Sequence, residues 1–159
     1  MTPLSDLELF QRLSLAAALG GVLGVEREWH HKTAGLRTNI LIAMGSALFT
    51  VMSIELTGTT GDPSRVASQI VTGIGFLGAG AILRTNAGVQ GLTTAAAIWV
   101  NAAIGVAVGG GEYHLAFIAT GVTLIVLAVL PAIERMVERR SKRTKATEGT
   151  DTSKHAGTE

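Results

Sequence analysis

Charge is sparse along this 159-residue chain, and its gaps define the elements. Runs without Asp, Glu, Lys or Arg cover Leu13–Val25, Thr38–Ile54, Val66–Leu83, Thr85–Gly111 and Tyr113–Ile133. The third is bracketed by Arg65 and Arg84. Its eighteen uncharged residues would extend roughly 27 Å as a helix, close to the ~30 Å hydrocarbon thickness of a bilayer. The runs are rich in Ala, Gly and Leu rather than in alternating β-branched residues, so they read as helices and not as strands of a buried α/β core. The pattern predicts an all-α membrane protein with five spans, about 8–26, 38–57, 65–83, 92–109 and 114–134. Short links make the first four adjacent antiparallel neighbours. Residues 1–134 form the membrane domain, and 135–159 a basic, disordered cytoplasmic tail.

Composition agrees with this reading: 47% of the residues are hydrophobic. The net charge of +1 says little, but its placement gives an orientation. Of thirteen Lys and Arg residues, eleven fall between spans one and two, between three and four, or after span five. The positive-inside rule then puts the N-terminus out and the C-terminus in. An acidic start, Asp6 and Glu8, is not the basic flank of a cleaved signal, so the first span is expected to stay. With no cysteine, thiolate metal sites and Cys nucleophiles are excluded.

Small residues suggest which faces pack. Ala17, Gly21 and Gly24 align on helix one with Ala16, Gly20 and Gly24 beside them, and Ala97, Asn101, Gly105 and Gly109 align on helix four. Helix three carries Gly73 and Gly80 on one face and Gly75 and Gly78 on another, which predicts a central helix with neighbours on both sides. Helix five, mostly Leu, Ile and Val, reads as peripheral. The GxGxxG at Gly73–Gly78 is helix packing rather than a nucleotide loop: no strand precedes it and no acid follows to hold a ribose.

Polar candidates are few. Asp62-Pro63-Ser64-Arg65 opens helix three, with Asp62 as N-cap and Pro63 at the first helical position. Asp62 is also the candidate metal ligand, because Mg²⁺ keeps several waters and needs only one or two carboxylates. Gln69, one turn further in, either bonds a neighbouring helix or lines a path. Glu26-Arg27-Glu28 ends helix one. Glu26 and Glu28 lie about 200° apart and cannot share an ion, whereas Glu28 could pair with Arg37 or Arg84. Thr93 and Thr94 are expected to cap helix four, and Asn101 to hydrogen-bond between helices. No nucleophile–base pair or phosphate loop is visible, so no enzymatic activity and no cofactor are expected, a Mg²⁺ ion aside.

The ordered series ALGGVLGVERE, AGLRTNILIAMGSALFTV, DPSRVASQIVTGIGFLGAGAIL and VQGLTTAAAIWVNAAIGVAVGGGEY resembles the membrane domain of the MgtC/SapB family over roughly residues 13–130. The resemblance implies a bacterial inner-membrane protein tied to magnesium limitation, and in pathogens to survival inside host cells. It highlights Glu26, Arg27, Glu28, Gly35, Leu36, Arg37, Asp62, Pro63, Arg65, Gln69, Gly73, Gly75, Gly78, Gly80, Gly91, Thr93 and Thr94. Asn39 departs from it, standing where many members carry His. Roles assigned to the folded cytoplasmic domain of longer members do not transfer. Two functions follow as expectations: regulation of other membrane proteins, or transport of Mg²⁺ or another ion, with Asp62, Gln69 and Asn101 on the path and Glu28, Arg37 and Arg84 at its mouth. The expected partners are the lipid bilayer, other membrane proteins and further copies of the chain, with no nucleic acid.

Overall fold

The computed structural model describes residues 4–57, 61–62, 64–86, 88–131 and 136. Five helices stand where the five apolar runs lie: α1 (Asp6–Trp29), α2 (Leu36–Thr57), α3 (Ser64–Gly80), α4 (Leu92–Gly109) and α5 (Tyr113–Pro131). Of these, α1, α2, α4 and α5 are long and apolar enough to cross a membrane. The apolar part of α3, Ala67–Gly80, is shorter. A short antiparallel hairpin, β1 (Leu83–Thr85) with β2 (Gly88–Gln90), links α3 to α4 in the register Leu83↔Gln90. The apolar pattern did not announce it, because both strands are three residues long and fully exposed.

Local chemistry sets the helix ends. Ser5 caps α1 in a reciprocal box: its hydroxyl accepts the Glu8 N–H, and the Glu8 carboxylate accepts the Ser5 N–H. The chain leaves α1 through His31, which adopts the left-handed conformation (φ 52°). Gly91 precedes α4 with φ 87°, and a Cβ there would collide with the Ala81 carbonyl, so only glycine fits. Gly91 is the N-cap of α4 and gives no side-chain hydrogen bond. The expected capping by Thr93 and Thr94 is therefore replaced by a backbone device; Thr94 is buried and Thr93 exposed.

The chain divides into two compact units at Leu124–Ile125. In the first, the central helix is α2. Gly20 and Gly24 of α1 lie against one side of it. A Cβ at Gly20 would come within 2.6 Å of the Asn39 carbonyl, and one at Gly24 within 2.7 Å of the Leu36 Cα. Gly105 and Gly109 of α4 press on the Ala43 and Ala47 carbonyls from another side. Close backbone approach at small residues is how helices associate where lipid removes the hydrophobic drive. The expectation of a central α3 fails. Gly78 approaches Ala95 of α4, but a Cβ at Gly73, Gly75 or Gly80 would meet nothing within 4 Å among the described residues. Among the described residues only one face of α3 is seated, through Ile70 and Ile74 against Ile42, Ile98 and Ala102. Glycines permit close approach; they do not supply the neighbour.

Within the first unit α5 buries Ala116 and Thr120 and exposes Leu115, Phe117, Ile118 and Val122, the pattern of a helix with one protein face and one lipid face. In the second unit Ile125, Val126, Val129 and Leu130 are exposed. The tail expected over 135–159 lies outside the described residues, Met136 apart.

Candidate functional site

One face of α2 is polar and buried. Asn39, Ser46, Thr50 and Ser53 follow each other at offsets of seven, four and three, which places them in one row along a 3.6-residue helix. At the Asn39 end of this seam Asn101, wholly buried on α4, donates its side-chain amide to the Asn39 backbone carbonyl (2.7 Å) and to Asn39 Oδ1 (3.1 Å). The Asn39 amide in turn donates to the Ala34 and Gly35 carbonyls at 2.8 and 2.9 Å. Two buried amides thus tie α4 to α2, and α2 to the link before it. Asn101 Oδ1 is left without a hydrogen-bond partner among the described residues. The seam could have been read from the spacing of polar residues in α2, where Asn39 drew notice only as a departure from the family pattern.

At the end of α1, Arg27 is 2% exposed. Its guanidinium grips the preceding residue, with Nε donating to Glu26 Oε2 at 2.5 Å and Nη2 to Oε1 at 2.9 Å. His30 Nδ1 lies 3.1 Å from the same carboxylate. Burial of two charges costs several kcal/mol per ion unless they are paired, so each holds the other in place. Arg27 Nη1 remains buried without a partner among the described residues. Glu28 corrects the sequence expectation. It is exposed, forms no ion pair with Arg37 or Arg84, and accepts the Leu36 N–H at 2.8 Å, capping α2 from the preceding helix. Gly35 leaves room for it, since a Cβ there would push the carboxylate aside. Arg12 is a further polar tie that the sequence did not reveal: it donates to the Gly109 carbonyl at 2.6 Å, bracing the start of α1 against the end of α4.

Asp62 caps α3 by accepting the Ser64 N–H at 2.9 Å. The hydrogen bonds from Ser64 hold its carboxyl below the usual carboxylate range. Pro63 lies outside the described residues, and Arg65 is exposed. Among the described residues no group of three or more His, Cys, Asp or Glu is placed to hold a metal ion. Gln69 is exposed on α3 and lines, with Arg37, Ile74 and Gly73, a groove of about 630 Å³ between α2 and α3. The candidates therefore separate. Glu26, Arg27 and Glu28 cluster at the end of α1, Asn101 joins Asn39 inside the bundle, and Arg37, Gln69 and Gly73 border the groove. Gly75, Gly80 and Arg84 are exposed.

Four long apolar helices, a fifth shorter one in its apolar part, and buried polar ties between them define a multi-pass helical membrane protein. The chain belongs to the MgtC family, whose pattern matches residues 13–136. Among its relatives, the Escherichia coli (strain K12) protein named "Putative magnesium transporter YhiD" is 50% identical over 129 residues, 77% of this chain and 60% of that protein. "Protein MgtC" of Brucella abortus (strain 2308) is 46% identical over 134 residues, 84% of this chain and 56% of that protein. An uncharacterized protein of Haemophilus influenzae is 40% identical over 146 residues, 86% of this chain and 61% of that protein. The chain thus spans about three-fifths of the length of the curated relatives it matches. No solved structure matches it. Family and spans together make it a multi-pass protein of the bacterial inner membrane.

Proposed function

We propose that this chain serves magnesium homeostasis as a non-enzymatic membrane protein that regulates other membrane proteins. The observation that carries the reading is the use made of its polar groups. Asn39 and Asn101 are bonded to each other and Glu28 to the backbone of α2, ties that hold helices together, while Glu26 and Arg27 neutralise each other within α1. Large apolar side chains, by contrast, are exposed on every helix, as surfaces for lipid or for partner helices. The chain would lie with its N-terminus outside and its 30–35 link inside, and would self-associate through the α3 surface around Gly75 and Phe76, both exposed. Ion transport is the second reading. It is favoured by Asn101 Oδ1 and Arg27 Nη1, polar atoms buried without partners among the described residues, and by the printed name of the Escherichia coli relative. Asp62 would then meet the ion first.

Purified protein reconstituted in liposomes with an internal Mg²⁺ reporter separates the two. The regulatory reading expects no flux under an inward Mg²⁺ gradient, and a membrane protein that co-purifies from cells grown at low magnesium. Flux that disappears in Asp62→Asn and persists in Glu112→Gln would overturn it.

A further inference from the structure

The groove between α2 and α3 has a chemistry of its own. Leu41, Phe49, Ile74 and Leu77 form its apolar wall, and Gly45 and Gly73 open its interior, since a Cβ at either would meet nothing within 4 Å. One end is different. Arg37 and Thr38 stand there in the first turn of α2, both exposed, and Arg37 has no ion pair among the described residues. The positive end of the helix dipole adds to the guanidinium charge at that point. From Arg37 to Phe49 the helix rises about 18 Å, and one leaflet contributes about 15 Å of hydrocarbon, half of the ~30 Å core. An apolar channel of one leaflet's depth, with a cationic end, has the shape and charge of a phospholipid's complement.

We infer that the groove binds an anionic phospholipid, its phosphate at Arg37 and Thr38 and one acyl chain along Leu41, Phe49 and Ile74. The inference is independent of whether the protein regulates or transports. It places the lipid as a removable wall between α2 and the loosely seated α3.

The test is native mass spectrometry of the purified full chain with added phosphatidylglycerol or phosphatidylcholine. The intact protein retains phosphatidylglycerol preferentially. Arg37→Gln lowers that preference about fivefold, the factor that ~1 kcal/mol per basic residue near a membrane surface gives. Arg65→Gln leaves it unchanged. Gly73→Leu, which fills the groove where a side chain has room, lowers retention of both lipids, and Gly45→Leu does the same from the opposite wall. An unchanged preference in Arg37→Gln overturns the inference. So does unchanged retention in both leucine variants. If Gly73→Leu converts a dimer to a monomer without altering lipid retention, the groove is a contact between copies and the lipid reading fails.

Discussion

At the scale of single residues, the buried asparagine pair concentrates the fold's specificity. Asn101 supplies two donor contacts to Asn39 across the α2–α4 interface, and Asn39 fixes the preceding link by bonding Ala34 and Gly35. Interhelical hydrogen bonds in membrane proteins contribute about 0.6–1.7 kcal/mol. Asn101→Ala should therefore lower stability by about 1 kcal/mol. Asn39→Ala should cost more, because it removes the Oδ1 acceptor of Asn101 and also frees two carbonyls of the link, although the Asn39 backbone carbonyl still accepts from Asn101. Chemical unfolding of the two variants in the same detergent checks the order; equal losses would mean that the link bonds contribute little. Glu28 makes a different point about residues. Its place at the end of α1 was legible in the sequence, but its exposure and its partner were not. An acidic side chain near several arginines suggests an ion pair, whereas the adjacent start of α2 presents an unsatisfied N–H, and that N–H takes the carboxylate.

At the scale of elements, the glycine stripes divide into two kinds. Those on α1 and α4 are filled by the backbone of α2, and those of α3 mostly face open space. Gly105→Ala should destabilise the bundle by about 1–3 kcal/mol, the range for forcing extra volume into a packed contact. In the monomer Gly75→Ala should be neutral or up to ~1 kcal/mol stabilising, through helix propensity alone, and it should cost stability only where copies associate through α3. Thermal unfolding midpoints of the two alanine variants measure the contrast. Similar losses in both would place a neighbour against α3 in the intact protein. This contrast also locates the limit of the sequence. The stripes Gly20–Gly24 and Asn101–Gly105–Gly109 were readable, and so were the five apolar runs. The identity of the helix they grip was not, because α2 carries few glycines and meets its neighbours with ordinary small side chains such as Ala43, Ser46 and Ala47. A helix approached closely need not be the one that looks made for it. The β1–β2 hairpin stayed invisible for a separate reason: three-residue exposed strands have no room for a hydrophobic period.

At the scale of the molecule, orientation can be tested directly because the chain contains no cysteine. Single substitutions Lys32→Cys and Thr85→Cys should resist a membrane-impermeant maleimide in intact cells and react after lysis, while Glu112→Cys should react in both. The reverse pattern would invert the proposed topology. The contacts around α2 carry a mechanical consequence. At Gly20, Gly24, Gly105 and Gly109, where α1 and α4 meet α2, backbone lies against backbone and first side-chain carbons, which leaves little at those points to absorb a shift. Sliding α4 by one turn would bring Asn101 into the seat of Gly105, where even a Cβ collides with the Ala43 carbonyl. The three helices form a keyed joint, stiff against translation. Beside that joint α3 is seated through one face among the described residues, without such backbone contacts to key it, and is the freer of the two helices that border the groove.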